Sequence, residues 1–147
     1  MIDTNVLGLL RMTHLILPKM AAKKRGHIVN LSSAAARFAY PGGNVYAATK
    51  SAVHMISQSL RIDLMGMNIR VSEISPGMAE TEFSKVRFND EEMAKKVYER
   101  MTPLNARDVA ETIAWCLDRP PHVNIQEIVM YPTDQASTSQ VFRHPLK

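Results

Sequence analysis

Two hydrophobic rhythms alternate along the chain. From Asp3 to Arg25, Val6, Leu9, Leu10, Thr13, Ile16, Leu17 and Met20 recur at helical spacing, which predicts one long amphipathic helix kinked at Pro18. Residues 27–31 form a short apolar run around Ile28 and Val29, followed by small residues, as a buried parallel strand does. Turn signals fill Arg37 to Asn44, where Asn44 is placed to cap a helix running to Met65 with Gly66 ending it. Strand character returns over Ile69 to Ile74 and breaks at Ser75-Pro76-Gly77, because proline has no amide to give a ladder. Met78 to Phe88 shows no clear period. Asn89 with Glu92 makes a capping-box pattern for a helix to Met101, and another helix starts near Asn105 and stops before Pro120-Pro121. Residues 125–131 supply a last strand, and the polar tail after Pro132 is expected on the surface or over a neighbour. This alternation predicts an α/β chain with a parallel sheet of about three strands covered by helices.

Composition narrows the reading. With 147 residues, 46% of them hydrophobic and 22% charged, the chain suits one soluble domain over 1–147. No run approaches the roughly 18 to 20 apolar residues of a membrane span, and Asp3 stands where a secretory signal is basic, so no membrane partner and a cytoplasmic location are expected. The single cysteine, Cys116, lies in a helical pattern beside Trp115 and Leu117 and reads as a buried structural thiol rather than a nucleophile. A formal charge of +4 raises nucleic acid as a partner. The one basic cluster, Lys19, Lys23, Lys24 and Arg25, ends a helix, where cations face the negative end of the helix dipole and Gly26 follows as a stop. No aromatic interleaving accompanies it, so no nucleic-acid partner is expected. His14, His27, His54, His122 and His144 show no ligand spacing, and no metal is expected.

In open parallel sheets ligands bind beyond the carboxyl ends of the strands. Ser33 follows the first strand there, and Pro76-Gly77 the second. On the long helix between them, Tyr46 and Lys50 are four residues apart and project side by side. A neighbouring ammonium favours the phenolate form, and a hydroxyl such as that of Ser33 could hold the same oxygen while charge develops. Such a tyrosine–lysine pair also arises often by chance, and Ser33 could equally serve as a cap or loop residue.

Four stretches in order carry a resemblance: Asp3-Thr4-Asn5-Val6, Asn30-Leu31-Ser32-Ser33, Tyr46-Ala47-Ala48-Thr49-Lys50 and Ser75-Pro76-Gly77. Together they resemble the short-chain dehydrogenase/reductases over essentially the whole chain. The thirteen-residue step from Ser33 to Tyr46 matches that family's serine-to-tyrosine spacing and selects Ser33 over Ser32. The resemblance implies a Rossmann-type doubly wound sheet and a catalytic tetrad. In it Tyr46 is the general acid/base, Lys50 lowers its pKa and binds the nicotinamide ribose, Ser33 orients the substrate oxygen, and Asn5 positions a water in a proton relay. It also implies cofactor contacts from Tyr46, Lys50, Pro76, Gly77, the backbone near Met78 and Ala79, and the hydroxyl of Thr81. Ala79 stands where valine or isoleucine is usual.

Pro41 to Tyr46, Thr81-Glu82-Phe83-Ser84 with Val86-Arg87-Phe88, and Val123 to Ile128 are similar to the subgroup that oxidises serine and small 3-hydroxy acids. That likeness favours NADP and leaves NAD as the alternative. A substrate carboxylate then needs a cation, which Arg87 could supply unless it is a solvated loop arginine; Arg143 is a weaker candidate. The chain departs from the family at its front. Its glycines form no Thr-Gly-x-x-x-Gly-x-Gly turn, so the expectation is a partial Rossmann-type domain lacking the amino-terminal dinucleotide-binding half, with a first strand whose edge is exposed. Two functions follow as alternatives: the catalytic part of an NAD(P)-dependent oxidoreductase acting on a small molecule, or an inactive dimerisation module. In either, the resemblance implies a homo-oligomer through helices 3–25 and 45–65.

Overall fold

A computed structural model describes residues 1–146. Its elements alternate as the hydrophobic rhythm predicts. Strands β1 (Gly26–Leu31), β2 (Ile69–Pro76) and β5 (Glu127–Met130) form one sheet in the order β1-β2-β5. All pairings are parallel, with Gly26 opposite Ile69 and Glu73 opposite Glu127.

Helices cover both faces. Helices α1 (Gly8–Lys23) and α2 (Asn44–Asp63) lie on one side, where Leu17, Met20, Ala21, Leu60 and Leu64 pack on Ile28, Ile69 and Val71. Helix α5 (Ala106–Leu117) lies on the other, where Val109, Ile113 and Cys116 pack on Val29, Ile74, Ile128 and Met130. The two-residue alternation of a strand separates these sets: Val71, Glu73 and Ser75 face α1 and α2, while Ser72 and Ile74 face α5. Cys116 is fully buried, and burial pushes its thiol up, the behaviour of a structural cysteine.

The long first helix is two structures. Asp3–Leu7 is a π-turn, and the α-helix runs from Gly8 with Pro18 inside it. It ends at Lys24, a lysine in the left-handed conformation (φ 47°), not at Gly26. Gly26 serves packing instead: a Cβ there would lie 2.6 Å from the sulfur of Met20. Gly43, not Asn44, takes the cap position of α2.

Strand β2 does not break before the proline. Pro76 is its last residue, paired with Met130. Its neighbour β1 has already ended at Leu31 opposite Ile74, so the missing amide leaves no ladder acceptor unmet on that side.

The segment without a clear period folds into a short strand β3 (Ala79–Glu80) and a helix α3 (Glu82–Phe88) capped by Thr81. Strand β3 pairs in parallel with β4 (Leu104–Asn105). Helix α4 covers Glu91–Val97 and stops short of Met101. Its cap is Asp90, which accepts from the amides of Glu92 and Met93, while Asn89 sits left-handed at the end of α3. The capping box expected there occurs instead on α5, between Asn105 and Asp108. No helix among the described residues is long and apolar enough to cross a membrane.

Candidate active site

The sheet brings the serine, the tyrosine and the lysine together at its carboxyl tips. Ser33 leaves β1 in extended conformation and caps a single 3-10 turn, its hydroxyl accepting from the Ala35 amide at 3.2 Å. The same hydroxyl makes a long 3.5 Å contact with the carbonyl of Pro76 at the end of β2. Tyr46 comes from the first turn of α2, close enough for the Ser33 hydroxyl to favour its ionised form. Lys50 lies one turn further, its ammonium 5.8 Å from the Tyr46 ring centroid and donating to the Leu31 carbonyl at 2.9 Å.

The electrostatics correct one expectation. The Tyr46 phenol is pushed above its ordinary value, chiefly by burial; Ser33 and the Arg87 charge pull it back, while Tyr40 pushes it further. The lysine does not win. Its own ammonium is pushed below the ordinary lysine range by burial, and the carboxylate of Glu73 opposes that shift. In the chain alone, desolvation of the phenol outweighs the Ser33 hydroxyl and the Arg87 charge.

Asn5 reaches the site through α2. In the π-turn its side-chain amide donates to the Thr49 hydroxyl at 3.0 Å, and that hydroxyl donates to the Tyr46 carbonyl at 2.8 Å. The wider turn thus ties the start of the chain to the helix turn that carries both tyrosine and lysine.

Helix α3 closes one side. The Phe83 ring packs against that of Tyr46 with centroids 5.3 Å apart. Arg87, in the last turn of α3, donates to the Tyr40 hydroxyl at 2.9 Å and the Gly42 carbonyl at 3.2 Å. Its charge therefore reaches Tyr46 as well as the loop before α2. Arg143 is elsewhere: its guanidinium is spent on the carbonyls of Val97 and Glu99 at the end of α4, which leaves no role at the strand tips.

The loop after β2 is held by residues that sequence reasoning passed over. Gly77 donates to Met130, while Met78 donates to the side-chain oxygen of Gln135 at 2.7 Å and accepts from Leu104. A Cβ on Gly77 would lie 2.4 Å from that Gln135 oxygen and 2.6 Å from the Tyr131 ring, so only glycine fits. Gln135 is buried, although it lies in the tail expected on the surface. Tyr98 fixes the next residue, donating to the Ala79 carbonyl at 2.8 Å and bonding to Ser84. The amides of Gly77 and Met78 and the Met78 carbonyl are therefore engaged by the scaffold. The Pro76 and Ala79 carbonyls accept from Ser33 and Tyr98, and the hydroxyl of Thr81 accepts from the Phe83 amide and keeps its proton to donate. A turn residue such as Gln135 has no periodic signature that could have marked it.

Two surface concavities, of about 560 Å³ along Thr133–Phe142 and about 470 Å³ beside Trp115, are built from other residues. His54, Glu73 and Glu127 offer atoms within 4.8 Å of one another, but the Arg37 guanidinium pairs with Glu127 and stands 3.8 Å from Glu73. Both carboxylates of the group thus already have a cation beside them.

Comparison with known proteins agrees with this geometry. A family model described as short chain dehydrogenase matches residues 1–92. An uncharacterized oxidoreductase of Mycobacterium tuberculosis is 49% identical over 146 residues, covering 99% of this chain and 58% of the relative. An NADP-dependent 3-hydroxy acid dehydrogenase of Salmonella typhimurium is 48% identical over 138 residues, covering 92% of this chain and 56% of the relative. Among solved structures, the closed form of a serine dehydrogenase complexed with NADP+ superposes with a TM-score of 0.93 at 43% identity, covering 99% of this chain and 59% of that one. The chain thus spans somewhat more than half the length of the curated relatives it matches.

Proposed function

The chain belongs to the short-chain dehydrogenase family, and we propose on that basis that it supplies the catalytic part of an NADP- or NAD-dependent oxidoreductase acting on a secondary alcohol or carbonyl. The preferred substrate class is small 3-hydroxy acids with NADP, as the names of two of its relatives suggest. The observation that carries this reading is the convergence of Ser33, Tyr46 and Lys50 at the tips of β1 and β2.

The residues present suit the nicotinamide end of such a cofactor. Lys50 spends one donor on Leu31 and has others for ribose hydroxyls, and the Thr81 hydroxyl, having accepted from Phe83, keeps its proton to donate. When bound, the nicotinamide supplies or accepts the hydride. Every other task falls to the chain. Burial keeps Tyr46 protonated at neutral pH, so it stands ready to give its proton to a carbonyl oxygen. Ser33 holds that oxygen by hydrogen bonding as charge develops on it. In the direction of alcohol oxidation, Ser33 and Arg87 stabilise the Tyr46 oxygen as it loses its proton. Arg87, already aimed at two oxygen acceptors, is the cation for a substrate carboxylate. To Asn5, whose side chain is tied to Thr49, we assign the holding of a relay water.

A second reading rests on a separate observation. Leu10, Met12 and Leu15 on α1 and Met55 and Ile62 on α2 are exposed apolar side chains, which favours self-association through these helices. One experiment separates the two. The chain is titrated with NADPH by nicotinamide fluorescence, assayed for oxidation of serine and other 3-hydroxy acids with NADP, and sized by sedimentation. Saturable binding with turnover supports the oxidoreductase. A dimer that neither binds nor turns over supports an association module.

A further inference from the structure

The tail after Pro132 folds into a small hairpin. Gln135 and Val141 form an antiparallel bridge, the Phe142 amide donates to the Asp134 carbonyl at 2.7 Å, and the Asp134 carboxylate accepts from the Thr102 amide at 2.7 Å. The hairpin is thus fastened to the turn that leads into β4. From it Gln135 points inward, only 6% exposed, and its amide group is satisfied at both ends: the nitrogen donates to the Ser137 carbonyl at 2.9 Å, and the oxygen accepts from the Met78 amide at 2.7 Å. Met78 belongs to a segment whose two ends both touch side chains of the proposed reaction. At one end the Pro76 carbonyl meets the Ser33 hydroxyl at 3.5 Å. At the other, Phe83 in the first turn of α3 packs its ring on that of Tyr46.

We propose that Gln135 is a positioning residue of the active site: its side-chain oxygen fixes Met78 and so sets how α3, with Phe83, is placed against Tyr46. This rests on the oxidoreductase reading for its purpose, though not for its geometry. Every step is a contact. Gln135 holds Met78, and β3 and the Thr81 cap fill the stretch between Met78 and α3, which leaves no free loop to absorb a displacement. The Thr81 hydroxyl holds the Phe83 amide, and the Phe83 ring meets Tyr46. The fit is close on the other side of Met78 as well, since Gly77 leaves open the space that the Gln135 oxygen fills. Two further ties act on the same segment: β4 pairs with β3, and Tyr98 donates to the Ala79 carbonyl. A Gln135 that merely filled space would leave the placement of α3 to those two, so its hydrogen bond to Met78 is what has to be tested.

The test reads the ring pair by NMR in the folded chain without cofactor. Gln135→Met keeps the length of the side chain and removes the oxygen. The nuclear Overhauser contact between the Phe83 and Tyr46 rings should then be lost, and the titration of the ¹³C-labelled Tyr46 phenol should move down toward the ordinary tyrosine value as the ring gains water. Gln135→Glu, read for the ring contact at mildly acid pH, offers Met78 an oxygen and, through its protonated carboxyl, Ser137 a proton; it should restore the contact. Either readout unmoved in folded Gln135→Met, or a contact that Gln135→Glu does not restore, overturns the proposal. Should either variant not fold, hydrogen exchange in the unaltered chain decides: a Met78 amide protected as well as the ladder amide of Leu104 supports the proposal, and free exchange at Met78 overturns it. None of these measurements uses NADP or turnover, so failure here leaves the oxidoreductase reading standing, and failure of turnover leaves this one.

Discussion

Toward the carboxyl ends of its strands, the two faces of the β1-β2-β5 sheet are built on opposite principles. Toward α5 the interior is apolar: Ile74, Val109 and Cys116 close on Val29, Ile125 and Ile128, and His27 with Ser72 is a polar pair on the same side. Toward α2 the strand tips turn polar, with Asn30, Glu73, Ser75 and Ser57 all buried and hydrogen-bonded, leading up to Ser33, Tyr46 and Lys50. An apolar face gains its free energy from area removed from water, without direction. A polar buried face gains little net stability but fixes orientation, which is what proton transfer needs. Stability and chemistry are thus separated across a single strand, residue by residue along β2.

Substitutions can break that contrast in order of size. Ile74→Ala, in the middle of the apolar face, should cost about 2–5 kcal/mol in urea unfolding while leaving the Tyr46 titration unchanged in the folded fraction. Gly77→Ala drives a methyl into Gln135 and Tyr131 and should cost about 1–3 kcal/mol; Gln135→Ala in the same chain should recover part of it, since the clash is with that side chain. Cys116→Ser puts a hydroxyl among aliphatic side chains and should cost about 1–3 kcal/mol, whereas Cys116→Ala should cost less.

The smallest effect depends on pH. His27 is held down to about 4 from an ordinary 6.5 by burial and by the Arg70 charge. Between those values the unfolded chain binds a proton that the folded chain refuses, so stability is full above pH 6.5 and falls as pH drops toward 4. After allowance for its partial exposure, the loss is on the order of 1 kcal/mol. His27→Gln should flatten that part of the stability profile measured by urea unfolding at several pH values.

The fold was legible wherever a residue's neighbours in sequence decide its environment. The strand at Ile28 and Val29, the helix carrying Tyr46 and Lys50, and the helix that ends before Pro120 follow from periodicity, because each buries one face against the sheet. Helix α3 was not legible, since Phe83 and Val86 stay exposed and only Ser84 is buried, so no apolar stripe marks it. The candidate site divides the same way. Ser33, Tyr46 and Lys50 stand at strand ends and helical spacing, which sequence displays. Gln135 and Tyr98 act by contacts across the chain, 57 positions apart for Gln135 and Met78, and no local pattern announces them. The direction of the Tyr46 shift was not legible for the same reason: spacing shows the lysine but not the burial that leads the shift.

The role of Tyr46 is the point on which the functional account turns, and removal of one oxygen atom tests it. Tyr46→Phe keeps the ring that packs on Phe83 and takes away only the hydroxyl beside Ser33. Assayed with NADP and the best 3-hydroxy acid, the variant should lose roughly 10²–10⁴-fold in turnover with circular dichroism and thermal unfolding unchanged. Turnover near that of the unaltered protein would contradict the assignment of Tyr46 as the proton donor.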